Sequence, residues 1–295
     1  MNEKQLEVIR NGALAWENYT NKDYIDLEGA DLSGLKLAHI SLQNANLKGA
    51  IIVNTDFTAA NLIGADLTGA KITGCTFRNT QLQSSKFIGC KGSHMDFRGA
   101  QLMGADFSYS SLTLAVFCGS DAPYTNFTEA ELASCSFHRA VLDCAKFIDA
   151  TLPMCHFVGC DMEDTEFTNA HLRYAVFQRC DLFSAVFEHA DLHHTNISIC
   201  RVRYASFEKA NLEDCKLPLV YLFDKRGHEA QYSTTESGDI AYHLGCRKFS
   251  LSQAKEHFLS DDYTYPKAGR YIIKLLKLCW KINRDSAELT EERNL

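Results

Sequence analysis

Cysteine and histidine are the residues of this chain best suited to chemistry, because they bind metals, act as nucleophiles and transfer protons. The 295 residues include 12 cysteines and 11 histidines. Their spacing matches no usual motif: there is no C-x-x-C or H-E-x-x-H pair, no glycine-rich phosphate loop and no nucleophile elbow. The sequence therefore predicts no catalytic residue, no metal site and no cofactor, and it indicates a non-enzymatic protein.

A five-residue repeat runs from Leu27 to Leu217 without a change of frame. We call the 39 positions at this spacing the central residues of the repeat. Of these, 37 are Leu, Phe, Ile, Met or Val, and the exceptions are Gly92 and Ala122. The residue two places before each central residue is mostly Ala, Cys, Ser or Thr. Asp or Asn often directly precedes the central residue, as in ADLTG at residues 65–69. A fixed short period with one large and one small apolar residue indicates a solenoid, whose units bury their faces against their neighbours.

This pattern resembles the pentapeptide repeat family over about two thirds of the chain. The resemblance implies an all-β solenoid, a right-handed quadrilateral β-helix of about ten coils, in which each pentad is one side of a square. We number the four faces by the central residues of the first coil: the first face contains residue 27, the second 32, the third 37 and the fourth 42, and each face recurs every twenty residues. Phenylalanines then line the first and third faces, and leucines mainly line the second and fourth.

The chain divides into three predicted parts. Residues 1–24 are expected to form an N-terminal capping helix, because Leu6, Ile9, Ala13 and Trp16 fall on one helical face. Residues 25–217 are the β-helix. Residues 218–295 are a C-terminal extension with helices, and we describe it next.

The extension begins with a polar, glycine-punctuated segment at residues 224–240, which is typical of a loop. A helix is predicted at 250–259 and a stronger, more apolar one at 271–283. The second helix is a candidate interface that closes the last coil, forms a homodimer, binds a partner or lies on a membrane. Its apolar candidates are Ile272, Leu275, Leu276, Cys279 and Trp280.

Eight of the twelve cysteines occupy the small interior position of the repeat, where a thiol acts as a small hydrophobe. Cys160, Cys180 and Cys200 stand one coil apart on one face, so reduced core packing, a disulfide and a metal site are the alternatives, with reduced packing favoured. Reduced thiols and no visible signal peptide indicate a cytoplasmic protein. A secreted effector without a classical signal peptide stays open.

The outer surface carries an uneven charge. The formal net charge is −7, which argues against direct binding to nucleic acid. A stripe of acids on the fourth face and the adjoining first face is the candidate partner-binding site. Its residues are Asp121, Asp143, Asp161, Glu163, Asp164, Glu166 and Asp181.

The family resemblance implies a role for such a stripe. Bacterial members of the family bind type II topoisomerases, DNA gyrase or topoisomerase IV, as acidic mimics of DNA. A protein-interaction module of this kind is the first expectation for this chain. The alternative is an interaction scaffold or bacterial effector with a different protein or membrane target.

Overall fold

The repeats form coils of twenty residues in a computed structural model that describes residues 2–20, 24–215 and the backbone of four later strands. Each residue before a central residue pairs in parallel with the residue twenty places later, from Asp26–Asn46 to Asp191–Asn211. Adjacent strands lie about 4.8 Å apart, so the coils between residues 27 and 215 form a rod roughly 45 Å long.

A tight turn after each central residue keeps every side of the coil short. In the first repeat, the Ala30 N–H donates to the Leu27 carbonyl oxygen at 3.0 Å. The residue two places after each centre takes a positive φ at every turn from Gly29 to Asp214, as a type II turn requires. At 27 of these turns the residue is not glycine, so closure of the coil imposes a left-handed conformation on ordinary side chains.

Most sides therefore pair with the next coil through a single bridge, and longer strands occur at only a few sides of the described solenoid. They form one two-stranded and one three-stranded parallel sheet, with Phe157 aligned to Phe177 and then to Ile197. These strands are β1 (Lys91–Ser93), β2 (Ser111–Thr113), β3 (His156–Val158), β4 (Val176–Gln178) and β5 (Asn196–Ser198).

Two ladders of phenylalanine fill the interior, as the repeat predicts. The Phe137 and Phe157 rings stack with centroids 4.8 Å apart. Rings of the two ladders also meet edge to face, as Phe147 and Phe157 do at 5.9 Å. These contacts place the central residues of the first and third faces inside the coil, in register from one coil to the next.

Gly92 is an exception with a steric cause. A Cβ atom there would lie 2.9 Å from the backbone carbon of Ile72 and from the backbone nitrogen of Thr73. Met95, at a position that usually holds Ala or Cys, is fully buried beside this gap in the pattern. The backbone thus approaches the preceding coil too closely for any other residue at position 92.

The N-terminal segment forms two helices where one was expected. They are α1 (Glu3–Arg10) and α2 (Ala13–Glu17), separated at Gly12, whose φ of 95° interrupts a helix. Leu6, Ile9 and Trp16 are buried, and the Trp16 indole N–H donates to the Ser41 carbonyl oxygen at 2.7 Å. Both helices therefore pack on the first coil.

The extension after the repeat contains a sheet that the sequence analysis missed. Its four antiparallel strands pair in chain order, and Tyr232 aligns with Tyr242. The loop predicted at 224–240 was therefore wrong over residues 229–234 and at 240, because these strands are too polar for hydropathy to reveal them. The strands are β6 (Leu222–Phe223), β7 (Glu229–Thr234), β8 (Ile240–Leu244) and β9 (Arg247–Phe249).

The helices expected at 250–259 and 271–283, with the candidate interface on the second, lie outside the described residues. Of the helices in the described ranges, none has the length and apolar character needed to cross a bilayer.

Candidate functional site

The residues of the predicted acidic stripe lie on the fourth face and its corner with the first face, with Val141 between Asp121 and Asp161. Asp161 and Asp181 are bridge partners on adjacent coils, and Asp121 lies two coils before Asp161 in the same column. Glu163 and Asp164 are exposed, while Asp143 and Glu166 are half-buried. We call this set, with Asp121, Asp143, Asp161, Glu163, Asp164, Glu166 and Asp181 as its members, the acidic face.

The pKa of Asp143 is affected by the other carboxylates of this surface. Its burial, and repulsion by Asp161, Asp181 and Asp164, hold the pKa of the Asp143 carboxyl above its usual value. The Glu163 backbone N–H donates to Asp143 Oδ1 at 3.0 Å, which opposes that shift only in part. The neighbouring carboxylates are thus close enough to disfavour the ionised form of Asp143.

Two aspartates of the acidic face do not accept the backbone hydrogen bond that corresponding aspartates accept elsewhere in the repeat. Elsewhere the aspartate before a central residue accepts the N–H two places later, as Asp66 does from Thr68 at 3.0 Å. Asp121 cannot do so, because the residue two places later is Pro123, which has no N–H. At Asp161 the corresponding N–H, that of Glu163, is bonded to Asp143 instead.

Some carboxylates on the other faces are paired with cations. Arg173 pairs with Asp191, and Lys48 with Asp66. At Asp96, burial raises the pKa, but hydrogen bonds from Arg98 and Arg78 outweigh it and lower the pKa to about 2.

Within the acidic face, the only ion pair among the described residues joins Asp181 to Arg201, at 2.7 Å. The other six carboxylates form no ion pair with a described residue, although the exposed Lys146 is the bridge partner of Glu166 on the preceding coil. Arg201 therefore ends the unpaired acidic surface on the side toward the C-terminus.

Tyrosines flank the acidic face along the column of turns that contains Asp164. Tyr124 and Tyr204 stand two coils before and after Asp164, with 65% and 52% of their surfaces exposed. Their φ angles are 58° and 62°, a region that tyrosine rarely adopts and glycine adopts freely. Every turn of the repeat shares this positive φ, so exposure and position, rather than backbone conformation, distinguish these two tyrosines.

Two of the interior cysteines, Cys75 and Cys90, are poor candidates for chemistry. Burial raises the pKa of Cys75 and of Cys90 to about 12, which suppresses the reactive thiolate. Thiols of this class donate to backbone oxygens of the preceding coil, as Cys135 does to Leu112 at 3.1 Å. Eight of the described cysteines are free thiols: Cys75, Cys90, Cys118, Cys135, Cys144, Cys155, Cys160 and Cys180.

Two polar clusters were not predicted as sites from the sequence, where the neighbouring His189, His193 and His194 were interpreted as solvated surface side chains. On the third face, Cys118, Ser136 and His138 form a short hydrogen-bonded chain on the outer wall, with 3.3 Å between Cys118 Sγ and Ser136 Oγ. On the second face, His193 and His194 meet carboxylates of the next coil. Residues 18 and 20 apart are neighbours in this fold, so a search at those separations is the signal that reveals such clusters.

Four-sided coils with inward-pointing central residues define a quadrilateral β-helix, a solenoid whose outer walls carry the exposed side chains. Comparison with protein families agrees. The profile for pentapeptide repeats matches in overlapping segments from residue 25 to 159, and the profile for a pentapeptide repeat region matches residues 150–223. The chain belongs to the pentapeptide repeat family, whose fold is right-handed.

Comparison with solved structures finds other members of this family. HetL, a pentapeptide repeat protein involved in heterocyst differentiation regulation in the cyanobacterium Nostoc sp. strain PCC 7120, is 19% identical, with 72% of this chain and 94% of that chain covered and a TM-score of 0.42. QnrB1, a plasmid-mediated fluoroquinolone resistance protein, is also 19% identical, with 63% and 89% covered and a TM-score of 0.28. None of the curated proteins compared with the chain matches significantly.

Proposed function

We propose that the acidic face docks onto the basic, DNA-binding surface of a protein partner. The observation that carries this proposal is the group of six carboxylates on one rigid wall that have no cation partner among the described residues. Like charges held together without counterions destabilise the fold, so their retention is best explained by a positively charged partner. A type II topoisomerase, DNA gyrase or topoisomerase IV, is the partner implied by the family resemblance.

The charge density of the acidic face resembles that of duplex DNA over a short distance. From Asp121 to Glu166 the surface extends over two coil spacings, about 10 Å of rod. Its six unpaired carboxylates then give about one charge per 2 Å, against one per roughly 1.7 Å along the DNA axis. The match covers the rise of about three base pairs, so this face would replace a short stretch of DNA in a basic groove.

Tyr124 supplies the kind of contact that charge alone does not. Tyrosine is enriched among the residues that dominate binding energy at protein interfaces, because it adds a large rigid surface with a polar end. Tyr124 projects at one margin of the acidic face, in the column that leads to Asp164. An acidic centre with an aromatic margin suits a protein partner with basic and apolar groups.

The decisive variant neutralises Asp161→Asn, Glu163→Gln and Asp164→Asn together. All three are exposed, so the fold should be preserved. Binding to immobilised DNA gyrase and topoisomerase IV holoenzymes would be measured at several salt concentrations. We expect the triple variant to associate about ten-fold more slowly at low salt, with the difference shrinking as salt rises.

A matched control carries the same change of charge elsewhere, at Glu7→Gln, Glu131→Gln and Glu208→Gln. These three residues are exposed and lie outside the acidic face, so the control should bind as the unmodified protein does. Equal binding by the acidic-face variant and the control would contradict the proposal, as would an absence of both binding and inhibition of supercoiling by the unmodified protein.

An interaction scaffold or effector with another target is the second candidate. A column of apolar turn side chains on the second face favours it: Leu114, Met154 and Tyr174 are 42%, 55% and 52% exposed. Binding to a target that survives the acidic-face variant and is lost on changing these three residues to Asn would support this candidate. The predicted helix at 271–283, as homodimer seam or membrane contact, stays part of the same proposal.

A cytoplasmic location also stays a proposal, and free thiols such as those of Cys75, Cys90 and Cys135 support it.

A further inference from the structure

Four potential metal ligands meet on the second face near the end of the repeat. His193 and His194 belong to one coil, and Glu213 and Asp214 occupy the corresponding positions of the next. The distance from His193 Nδ1 to Glu213 Oε2 is 3.7 Å, and that from His194 Nδ1 to Asp214 Oδ2 is 3.8 Å. We call these four residues the histidine–carboxylate cluster.

The ligand atoms converge more closely than surface side chains usually do. Atoms of His193, His194 and Asp214 all lie within 4.8 Å of one another. The two imidazole rings have centroids 4.1 Å apart. Zinc bound at about 2.1 Å to each ligand separates tetrahedral ligand atoms by a little over 3 Å, so small rotations of the exposed His194 and Asp214 side chains complete the geometry.

His193 provides an independent indication of a missing ligand. Its Nδ1 atom is buried, yet it has no hydrogen-bond partner among the described residues. A buried polar atom without a partner costs free energy, and a metal ion between His193 and Glu213 would remove that cost. The opposite side of the cluster is fixed by Tyr174, whose ring stacks on His194 at 5.0 Å.

The local charge suits a divalent cation. Glu213 and Asp214 together carry two negative charges, and Asp191 lies beside them. Arg173, the cation of this region, is paired with Asp191. The Asp191 carboxylate also accepts the His193 backbone N–H at 3.3 Å, which holds the segment that carries both histidines.

We propose that the histidine–carboxylate cluster binds one divalent transition-metal ion of the zinc class. Two imidazoles with one or two carboxylates form a common ligand set for zinc. The ion joins residues 193–194 to residues 213–214, which lie on successive coils. It therefore links the last coil of the repeat to the body of the solenoid, at an end that must be protected from fraying.

The test uses the full chain, stripped of metal with a chelator and then titrated with Zn²⁺ or Co²⁺. We expect one equivalent to bind, and bound Co²⁺ to show visible d–d absorption without a thiolate-to-metal charge-transfer band. The Zn²⁺-loaded protein should melt several degrees higher than the stripped protein. These readouts are independent of the acidic face, so the proposed function can fail while this site stands.

Variants locate the ion. His193→Gln combined with His194→Gln should reduce the affinity for Zn²⁺ by about ten-fold or more, and Asp214→Asn, an exposed change that leaves the fold intact, should also weaken it. His171→Gln, an exposed histidine on the same face, is the matched control and should have no effect. Unchanged affinity in both cluster variants would overturn the proposal. So would a thiolate charge-transfer band, which assigns the metal to cysteine, or an absence of binding at micromolar Zn²⁺.

Discussion

The packing of the phenylalanine ladders makes a quantitative prediction at Phe157. This side chain is fully buried and stacks on Phe137 and Phe177 with centroids 4.8 and 4.7 Å away. It also meets Phe147 and Phe167 edge to face, each at 5.9 Å. Phe157→Ala therefore removes a large apolar side chain and four ring contacts at once.

The expected cost follows from these contacts. Replacing a buried phenylalanine with alanine destabilises proteins by about 3–5 kcal/mol, and less where the surroundings can collapse into the cavity. Around Phe157 the walls are hydrogen-bonded to the coils before and after, so little collapse is available. We expect a loss of about 4–5 kcal/mol in the free energy of unfolding, the upper part of that range.

Phe57 offers a control of the same residue type and the same burial. Among the described residues it has one ring neighbour, Phe77, at 5.4 Å. Phe157 makes three more ring contacts than Phe57, and aromatic pairs add about 0.5–1.5 kcal/mol each beyond buried area, so Phe57→Ala should cost less than Phe157→Ala by at least about 1.5 kcal/mol. Urea denaturation followed by circular dichroism measures both. Equal costs would refute the contribution of ring geometry, and a cost below about 2 kcal/mol at Phe157 would refute the rigid-wall argument.

Three further predictions concern other parts of the solenoid. Asp143→Asn should stabilise the protein at neutral pH by about 0.5 kcal/mol, and because the Asp143 pKa is raised, this gain should shrink as pH falls through that pKa. Asp96→Asn should instead destabilise the protein by about 1 kcal/mol, and this loss should disappear as pH falls from about 4 toward 2. Thermal melts across pH distinguish the two variants. Gly92→Ala should destabilise by more than 1 kcal/mol in urea titrations, roughly the scale of a strained core, since its Cβ would meet the Ile72 backbone, and an unchanged midpoint would disprove that contact. Tyr124→Asn should stabilise by about 0.5 kcal/mol, because Asn tolerates positive φ, while weakening partner binding; a variant less stable than the parent would show that no strain is stored there.

The repeat made the interior of the solenoid predictable from the sequence. One large apolar residue in every five must point inward, so the identity of the buried residues followed from the frame. The conformation of the turns did not follow. Tyr124 and Arg139 have no intrinsic preference for positive φ, and they adopt it because the backbone must close a side at every fifth residue.

Segments without the repeat were predicted less well. The break at Gly12 divides what hydropathy presented as one helix, because apolar spacing does not report a single glycine with positive φ. The strand at Glu229–Thr234 was missed because its alternation is short, with Ala230 and Tyr232 as the apolar positions in an otherwise polar segment. In both places the structure depends on local geometry that composition does not encode.

The acidic face shows what each level of description determined. The sequence placed seven carboxylates on one wall, since position in a rigid repeat decides direction. Their pairing was decided only by tertiary structure: Arg201 reaches Asp181 from the next coil, and Glu163 gives its N–H to Asp143. The same holds for His194 and Asp214, which are twenty residues apart in the chain and 3.8 Å apart between ligand atoms. Ion pairs and ligand clusters depend on distances of a few ångströms between coils, and those distances exist only after the chain has closed its turns.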